Sequence, residues 1–335
     1  MNNIMRTMSN IKIILIALAL FVVGVTQAQD GQLSQYEAAP VMLNPALTGM
    51  YENSDFRMSS NVRSQWNSLS SSFLTTAFAY DISMEKKYGF GTYLNNYNMA
   101  GIMNTFQFGF TGAYNVSDSR ADHTLSVGAN LGLIYKKVND QELLWDVQYN
   151  DGYFNNDLPS GENIQKGGRL MPEVALGMAY RSTSGRKRFN PFGNFALFHL
   201  TTPDEAIFRA TKSDMPIRYS VNGGVRIMVI NDLHLTPMGL YMRQGNDQHI
   251  NVGVMGEYTL PGTKYAALFG CSYRYYDAII AQVGFKHRSA VYRFSYDINT
   301  SPLKTYTNNN GAFEFSIIYR GTHSGRTRRV QSSAF

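Results

Sequence analysis

Cysteine is nearly absent: Cys271 stands alone in 335 residues. One thiol supports neither a disulfide framework nor a Cys-rich metal site. It does not follow an export cleavage site, so it is not the lipidated cysteine of a lipoprotein. It reads as a small apolar residue in a strand. Tryptophan is scarce, at 2 residues. Charge is thin, with 16% Asp, Glu, Lys and Arg against ~25% in soluble domains. After Val25 no apolar run approaches the ~20 residues that a membrane-spanning helix needs. Catalytic signatures are missing too. The six histidines, His123, His199, His234, His249, His287 and His323, are dispersed. No H-E-x-x-H, G-x-S-x-G, Walker loop or spaced Cys/His set occurs. Gly89-Phe90-Gly91 opens no dinucleotide fingerprint, because Asn95 and Asn96 stand where small residues are needed, and its glycines serve strand curvature or packing. The chain therefore reads as non-enzymatic, with no cofactor. A Ser–His–acid hydrolase stays open only because such triads are set by space rather than sequence order.

What is present begins with an export signal. Residues 1–28 carry Arg6 and Lys12, an apolar run from Ile13 to Val25, and then Thr26-Gln27-Ala28. That is the layout of a removable secretory signal peptide, with small residues where the peptidase needs them. The net charge of +6 is mild and scattered, which gives no case for nucleic acid. Aromatics reach 13%, mostly Tyr and Phe. They suit strands and the two interfacial girdles of a membrane barrel. Mean hydropathy is only −0.24, the average expected of a wall that is apolar outside and polar inside.

Period-2 alternation recurs from about Phe56 to Tyr319. Phe106, Phe108 and Phe110 oppose Gln107, Gly109 and Thr111. Leu125, Val127, Leu131 and Leu133 oppose Ser126, Gly128, Asn130 and Gly132. Phe313, Phe315, Ile317 and Tyr319 oppose Glu314, Ser316 and Arg320. A soluble β-sandwich alternates in the same way. The signal peptide, the aromatic excess and strands of roughly 9–14 residues favour lipid on one face. The expected fold is all-β, a transmembrane antiparallel β-barrel of about fourteen strands in the outer membrane. Strand starts are expected near Phe56, Phe73, Tyr88, Asn104, His123, Leu170, Phe192, Ile217, Leu233, Gln248, Lys264, Ala278, Ala290 and Ala312. Three long connections, Val138–Arg169, Thr201–Pro216 and Asn299–Gly311, all fall at odd positions. They should share one end, the outer one, with short turns at the periplasmic end.

Two charge clusters interrupt the pattern. Val138–Asn163 is rich in Asp and Glu without Lys or Arg. It lacks the ordered ligand spacing of a Ca²⁺ loop and reads as a solvated outer loop. The tail 321–335 carries Arg326, Arg328 and Arg329, either a partner-binding arm or a solvated end. On the polar strand faces, Arg226, Glu257, Arg274, Arg293, Asp297 and Glu314 should point into the lumen. They either line a conduction path or pair as struts inside a closed barrel.

Residues 29–55 alternate poorly and contain Pro40, Pro45 and Gly49, so this segment is not expected to be a strand; it could sit in or beneath the barrel. Pro45 fixes φ, and Asn44 can bond nearby backbone to set a rigid turn. Gln29, Asp30, Ser34, Gln35 and Tyr36, followed by Leu43, Asn44, Pro45, Ala46 and Gly49, resemble the opening of the PorP/SprF family of type IX secretion system membrane proteins. Leu33 stands where that family usually has Phe. Arg63-Ser64-Gln65-Trp66, Tyr273-Arg274 with Asp277-Ala278, Tyr296–Ser301 and Gly311–Tyr319 continue the resemblance in order along the chain. The resemblance implies a Bacteroidota outer-membrane barrel, residues 56–320, in the type IX secretion and gliding apparatus. It implies lipid around the barrel, periplasmic ring and peptidoglycan-linked partners, and secreted surface cargo such as adhesins. It marks Gln35, Tyr36, Asn44, Pro45, Arg63 and Trp66 as candidate docking or positioning residues. A passive porin or hydrophobic-solute channel is the alternative function.

Overall fold

The computed structural model describes residues 31–322, apart from 52, 67–71, 119–120, 140–142, 144, 151–152, 156–157, 160, 162–166, 183–186, 209–210 and 303. The expected signal peptide and Arg326, Arg328 and Arg329 of the tail lie outside the described residues.

Fourteen antiparallel strands close into one barrel. They are β1 Phe56–Gln65, β2 Phe73–Met84, β3 Tyr88–Met99, β4 Met103–Asn115, β5 His123–Val138, β6 Arg169–Ser182 and β7 Phe189–Phe198. Then come β8 Arg218–Ile230, β9 Leu233–Gln244, β10 Asp247–Thr259, β11 Tyr265–Arg274, β12 Ala278–His287, β13 Ala290–Asn299 and β14 Asn310–Gly321. Every strand pairs with its sequence neighbours, and β1 closes the ring on β14 from Phe56↔Gly321 to Gln65↔Ala312. Closure satisfies every strand edge, which a sheet surrounded by lipid requires.

The two faces are inverted relative to a water-soluble protein. On β1, Arg57, Ser59, Asn61 and Arg63 are buried while Met58 and Val62 are exposed. Around the outside, Phe110 is 63% exposed, Leu131 65% and Leu170 64%. Phe110 and Leu131 oppose each other across β4 and β5. Aromatic rings ladder along this outer face: Phe285 stacks on its cross-strand partner Tyr292 at 4.8 Å, and Phe294 meets Phe315 at 4.6 Å. A continuous apolar exterior around a polar interior is stable in hydrocarbon and not in water. It excludes the sandwich alternative, which buries its apolar face between two sheets.

The two ends of the barrel differ. One end carries the start of β1, the end of β14 and the short connections, among them 85–87, 231–232 and 288–289; we call it the turn end. The other, the loop end, carries the connections 139–168, 199–217 and 300–309. The first of these holds a two-residue-strand hairpin, Tyr149–Asn150 with Tyr153–Phe154. The second is pinned by Asp204, which accepts from the N–H groups of Ser213 and Ala206 and pairs with Arg169 at 2.6 Å. Those bonds, the Ser213 N–H foremost, hold the Asp204 carboxyl below its usual range.

Two outcomes follow from this architecture. Phe110→Arg puts a cation on the lipid face and should cost about 2–4 kcal/mol in a bilayer if near the midplane, read by denaturant unfolding from vesicles. The lowered Asp204 carboxyl stabilises loop 199–217 above the ordinary Asp pKa of about 3.9. That contribution is lost as pH falls through the lowered value, so protection factors in this loop, corrected for the intrinsic exchange rate at each pH, should fall in acid before those of the strands do.

Candidate functional site

The lumen is occupied by the chain's own N-terminal segment. From Gly31 to Tyr51 it descends inside the barrel from the loop-end half to the turn end, then passes into β1. It folds as three single turns, Tyr36–Ala38, Pro40–Leu43 and Pro45–Leu47. Pro40 and Pro45 each open a turn, where a missing N–H is harmless and φ is already correct. Asn44 caps the third turn, its Oδ1 accepting from the Ala46 N–H at 2.8 Å. The same side chain ties the turn to the wall: its Nδ2 donates to the carbonyls of Met178 on β6 and Phe195 on β7 at 3.0 and 2.9 Å.

A buried ionic cluster grips the segment in the loop-end half. Glu314 accepts from the backbone N–H groups of Ser34 and Gln35 at 2.7 and 3.2 Å. It also accepts from Asn61 at 3.1 Å and lies 3.5 Å from Arg63. Asp297 pairs with Arg63 at 2.9 Å and Arg274 at 2.6 Å, and accepts from the Ser34 hydroxyl at 2.8 Å. Arg63 and Arg274 each donate to the Ser34 oxygen as well. Gln35 spans β13 and β14: its amide donates to Ser295 and the Glu314 carbonyl at 3.0 Å and accepts from Ser316 at 2.5 Å. One step lower, Arg293 donates to Glu37 at 2.5 Å. Buried ions are tolerated only when paired and fully bonded, and here the segment supplies part of the bonding.

A second grip lies near the turn end. Arg57 donates twice to Asp81, at 3.0 and 2.8 Å, and once to the Leu47 carbonyl at 3.0 Å. Asp81 accepts from the Gly49 N–H at 2.6 Å, and the Tyr51 hydroxyl donates to the Asp81 carbonyl at 2.9 Å. Between the grips the contact is steric and apolar. Tyr36, Leu43 and Leu47 pack against Ala179 and Leu240, while Val41 packs on Ala79 and Tyr93. Ser126 donates to the Ala46 carbonyl at 2.7 Å. The lumen-facing Gly128 lets the backbone of Pro45 and Ala46 lie against β5; a Cβ there would stand 2.5 Å from both.

Gln35, Tyr36, Asn44 and Pro45 are all buried inside the barrel. Arg63, Arg274, Asp297 and Glu314 meet in one cluster, and Arg293 sits beside it on Glu37. Arg226 and Glu257 are elsewhere, near the turn-end mouth, where Glu257 pairs with Arg226 at 3.2 Å and Lys286 at 2.9 Å. Trp66 sits at the loop end with φ +58°, its N–H on the Gly311 carbonyl at 2.9 Å and its ring edge on Phe73. Arg57, Asn61 and Asp81 join the site without having been singled out from sequence. Strand parity was the available signal, since Arg57, Asn61 and Arg63 share one face of β1. Among the described residues, no group of three or more His, Cys, Asp or Glu stands close enough to hold a metal ion.

Comparison with protein families matches residues 25–319 to one described as type IX secretion system membrane protein PorP/SprF. No curated protein matches the chain. Among solved structures it is similar to the CymD monoaromatic hydrocarbon channel, with a TM-score of 0.51 and 10% identity over 85% of this chain and 93% of that one. It is also similar to the TodX deltaS2S3 mutant monoaromatic hydrocarbon channel, with a TM-score of 0.52 and 7% identity over 85% and 94%. At such identities the likeness is one of fold alone.

Removing Arg63 leaves Glu314 and Asp297 short of a buried partner, so Arg63→Ala should destabilise the barrel by about 3 kcal/mol, read as a lower temperature of heat-modified gel migration. Gly128→Leu drives a side chain into the Pro45–Ala46 backbone without touching the ions. In hydrogen exchange, peptides covering 34–48 should lose protection while those from β9–β13 keep theirs.

Proposed function

This chain belongs to the PorP/SprF family of type IX secretion system membrane proteins, and we propose that it serves there as a non-enzymatic scaffold for export or surface attachment of cargo proteins. The closed barrel and the family support an outer-membrane location. The turn end faces the periplasm, toward ring and peptidoglycan-linked components, and the loop end faces outward, because bacterial barrels keep short turns inside and long loops outside. Cargo such as adhesins would be met at the loop end.

One observation carries the reading. Residues 31–51 run through the lumen and are anchored there by two ionic grips. A passive porin needs a standing water path, and a hydrocarbon channel needs an apolar one. Here the middle of the lumen holds the chain's own backbone. Gln35, Tyr36, Asn44 and Pro45 act as positioning residues, since each is turned to the wall and none to the outside.

Deleting the gene should abolish surface display of at least one type IX cargo while outer-membrane permeability to antibiotics stays near normal. Loss of permeability with intact display would instead favour a solute channel. A tag at Asn155 should be reached by antibody on intact cells. A tag after Asp232 should be reached only once the outer membrane is broken. Asn44→Ala, scored for barrel abundance and cargo display together, separates positioning from docking. Reduced abundance is expected, because two wall carbonyls lose their donor.

A further inference from the structure

The segment that fills the lumen does not fill all of it. Ser34 and Gln35 are held to β1, β11, β13 and β14. The opposite side, walled by β3 to β10, keeps a cavity of about 970 Å³ of atom-free space, part of it open to solvent. It reaches the loop-end rim at Gln244, Asp247 and Gln248. The room closed in by its walls is about 80 Å³, the size of a side chain rather than of a whole ligand. From its place and its walls, we infer that this cavity binds a short neutral peptide segment of a partner protein, seating a bulky apolar side chain in its floor and pairing the peptide backbone with side-chain amides.

The floor is apolar: Val41, Met42 and Leu43 of the N-terminal segment face Leu240 and Met242 of the wall. Above it the lining turns to amides, with Asn95, Gln107, Asn130, Gln244 and Gln248. Their bonding is incomplete. Asn95 reaches Tyr97 and Gln107 only at 3.4 Å, the outer limit of a hydrogen bond. The Oδ1 atoms of Asn95 and Asn130 have no partner, although each residue is only 2% exposed. Of the charged lining residues, Arg243 donates to the Gly245 carbonyl at 3.2 Å and Asp247 stands at the rim; Glu173 and Arg218 are engaged deeper in. Both Glu173 oxygens are taken by His199, at 3.1 and 2.6 Å, and the Arg218 guanidinium lies 4.2 Å from the Phe198 ring centroid. A neutral ligand is therefore favoured over an ionic one.

The mixture selects among neutral ligands. A sugar would satisfy the amides but not a floor of Leu, Met and Val. An arene would satisfy the floor and leave the amides unpaired. A peptide satisfies both, because each side-chain amide carries the same donor and acceptor as a peptide group. The seat of the N-terminal segment already works this way. Wall side chains read the N-terminal segment through its backbone, at Ser34 and Gln35 from Glu314, at Ala46 from Ser126, at Leu47 from Arg57 and at Gly49 from Asp81. The cavity offers polar side chains to a backbone in the same manner, in space that the described residues leave unoccupied. Who supplies the peptide rests on the secretion reading above; the chemistry of the cavity does not.

The test uses the full mature chain in dodecyl-dimethylamine oxide, a detergent without a sugar headgroup. Capped peptides Ac-Gly-Ser-X-Ser-Gly-NH₂, with X as Leu, Met, Phe, Gly, Asp or Lys, are titrated by saturation-transfer NMR, with cellobiose and toluene as controls. Binding is expected for Leu, Met or Phe, at least tenfold weaker for Gly, Asp and Lys. It should fall at least tenfold in Met242→Trp, which fills the floor, and in Asn95→Leu, which removes an amide. Heat-modified migration confirms that both variants are folded barrels. Three results overturn the inference: no peptide binding, equal binding of all six peptides, or binding unchanged in both variants. Binding of cellobiose or toluene without peptide overturns it as well and assigns the cavity to a sugar or an arene. Peptide binding in a protein whose deletion leaves cargo display intact would keep the inference and reject the secretion role.

Discussion

Glu314 sits on the last strand, fully enclosed, with the backbone N–H groups of Ser34 and Gln35 pointed at its two oxygens. A carboxylate in that position is tolerable only if its oxygens are filled. Arg63 and Asn61 from β1 and the peptide at Ser34–Gln35 share that task. Asp297 and Arg274 extend the same arrangement across the neighbouring strands. The wall and its contents are therefore not two separable parts. Without the segment, the strands that meet around Glu314 would carry a polar face with too few partners. Without the strands, a segment of three single turns has no structure to keep.

The inverted distribution of polarity explains the unremarkable composition. A mean hydropathy of −0.24 would pass for that of a soluble chain. Much of the charge is drawn inward, where Arg57, Arg63, Asp81, Asp297 and Glu314 are almost wholly enclosed. The apolar side chains face outward. Alternation places the two sets on opposite faces, and closure decides which face meets lipid.

That alternation made much of the fold legible. Each of the fourteen strand starts lies within three residues of the position expected from the pattern. The three long connections do share an end. Parity also placed Asp297 and Glu314 on the polar face, because a strand's period of two needs only local information. The partner of that face was not legible. Ser34 meets Glu314 across 280 positions, and the residues between 31 and 51 have no period that points at a wall. Gly128 and Gly89 illustrate the limit. In sequence they are small residues in strands. In the structure, Gly128 leaves the space for Pro45 and Ala46, and Gly89 leaves that for Thr48. A glycine's neighbour across a lumen leaves no mark in the glycine's own stretch of chain. Arg57 and Asp81 escaped for a different reason. Each looked like one more alternating polar residue until the carbonyl of Leu47 and the N–H of Gly49 arrived between them.

The seam between β1 and β14 gives the barrel an order of assembly. It is the one strand pair whose members come from opposite ends of the chain, so it alone cannot form as a local hairpin. Arg63 and Glu314 face each other across that seam. Both hold Ser34. Closure of the cylinder and the seating of the segment therefore draw on the same two side chains, so a change that loosens the seam loosens the occupant with it.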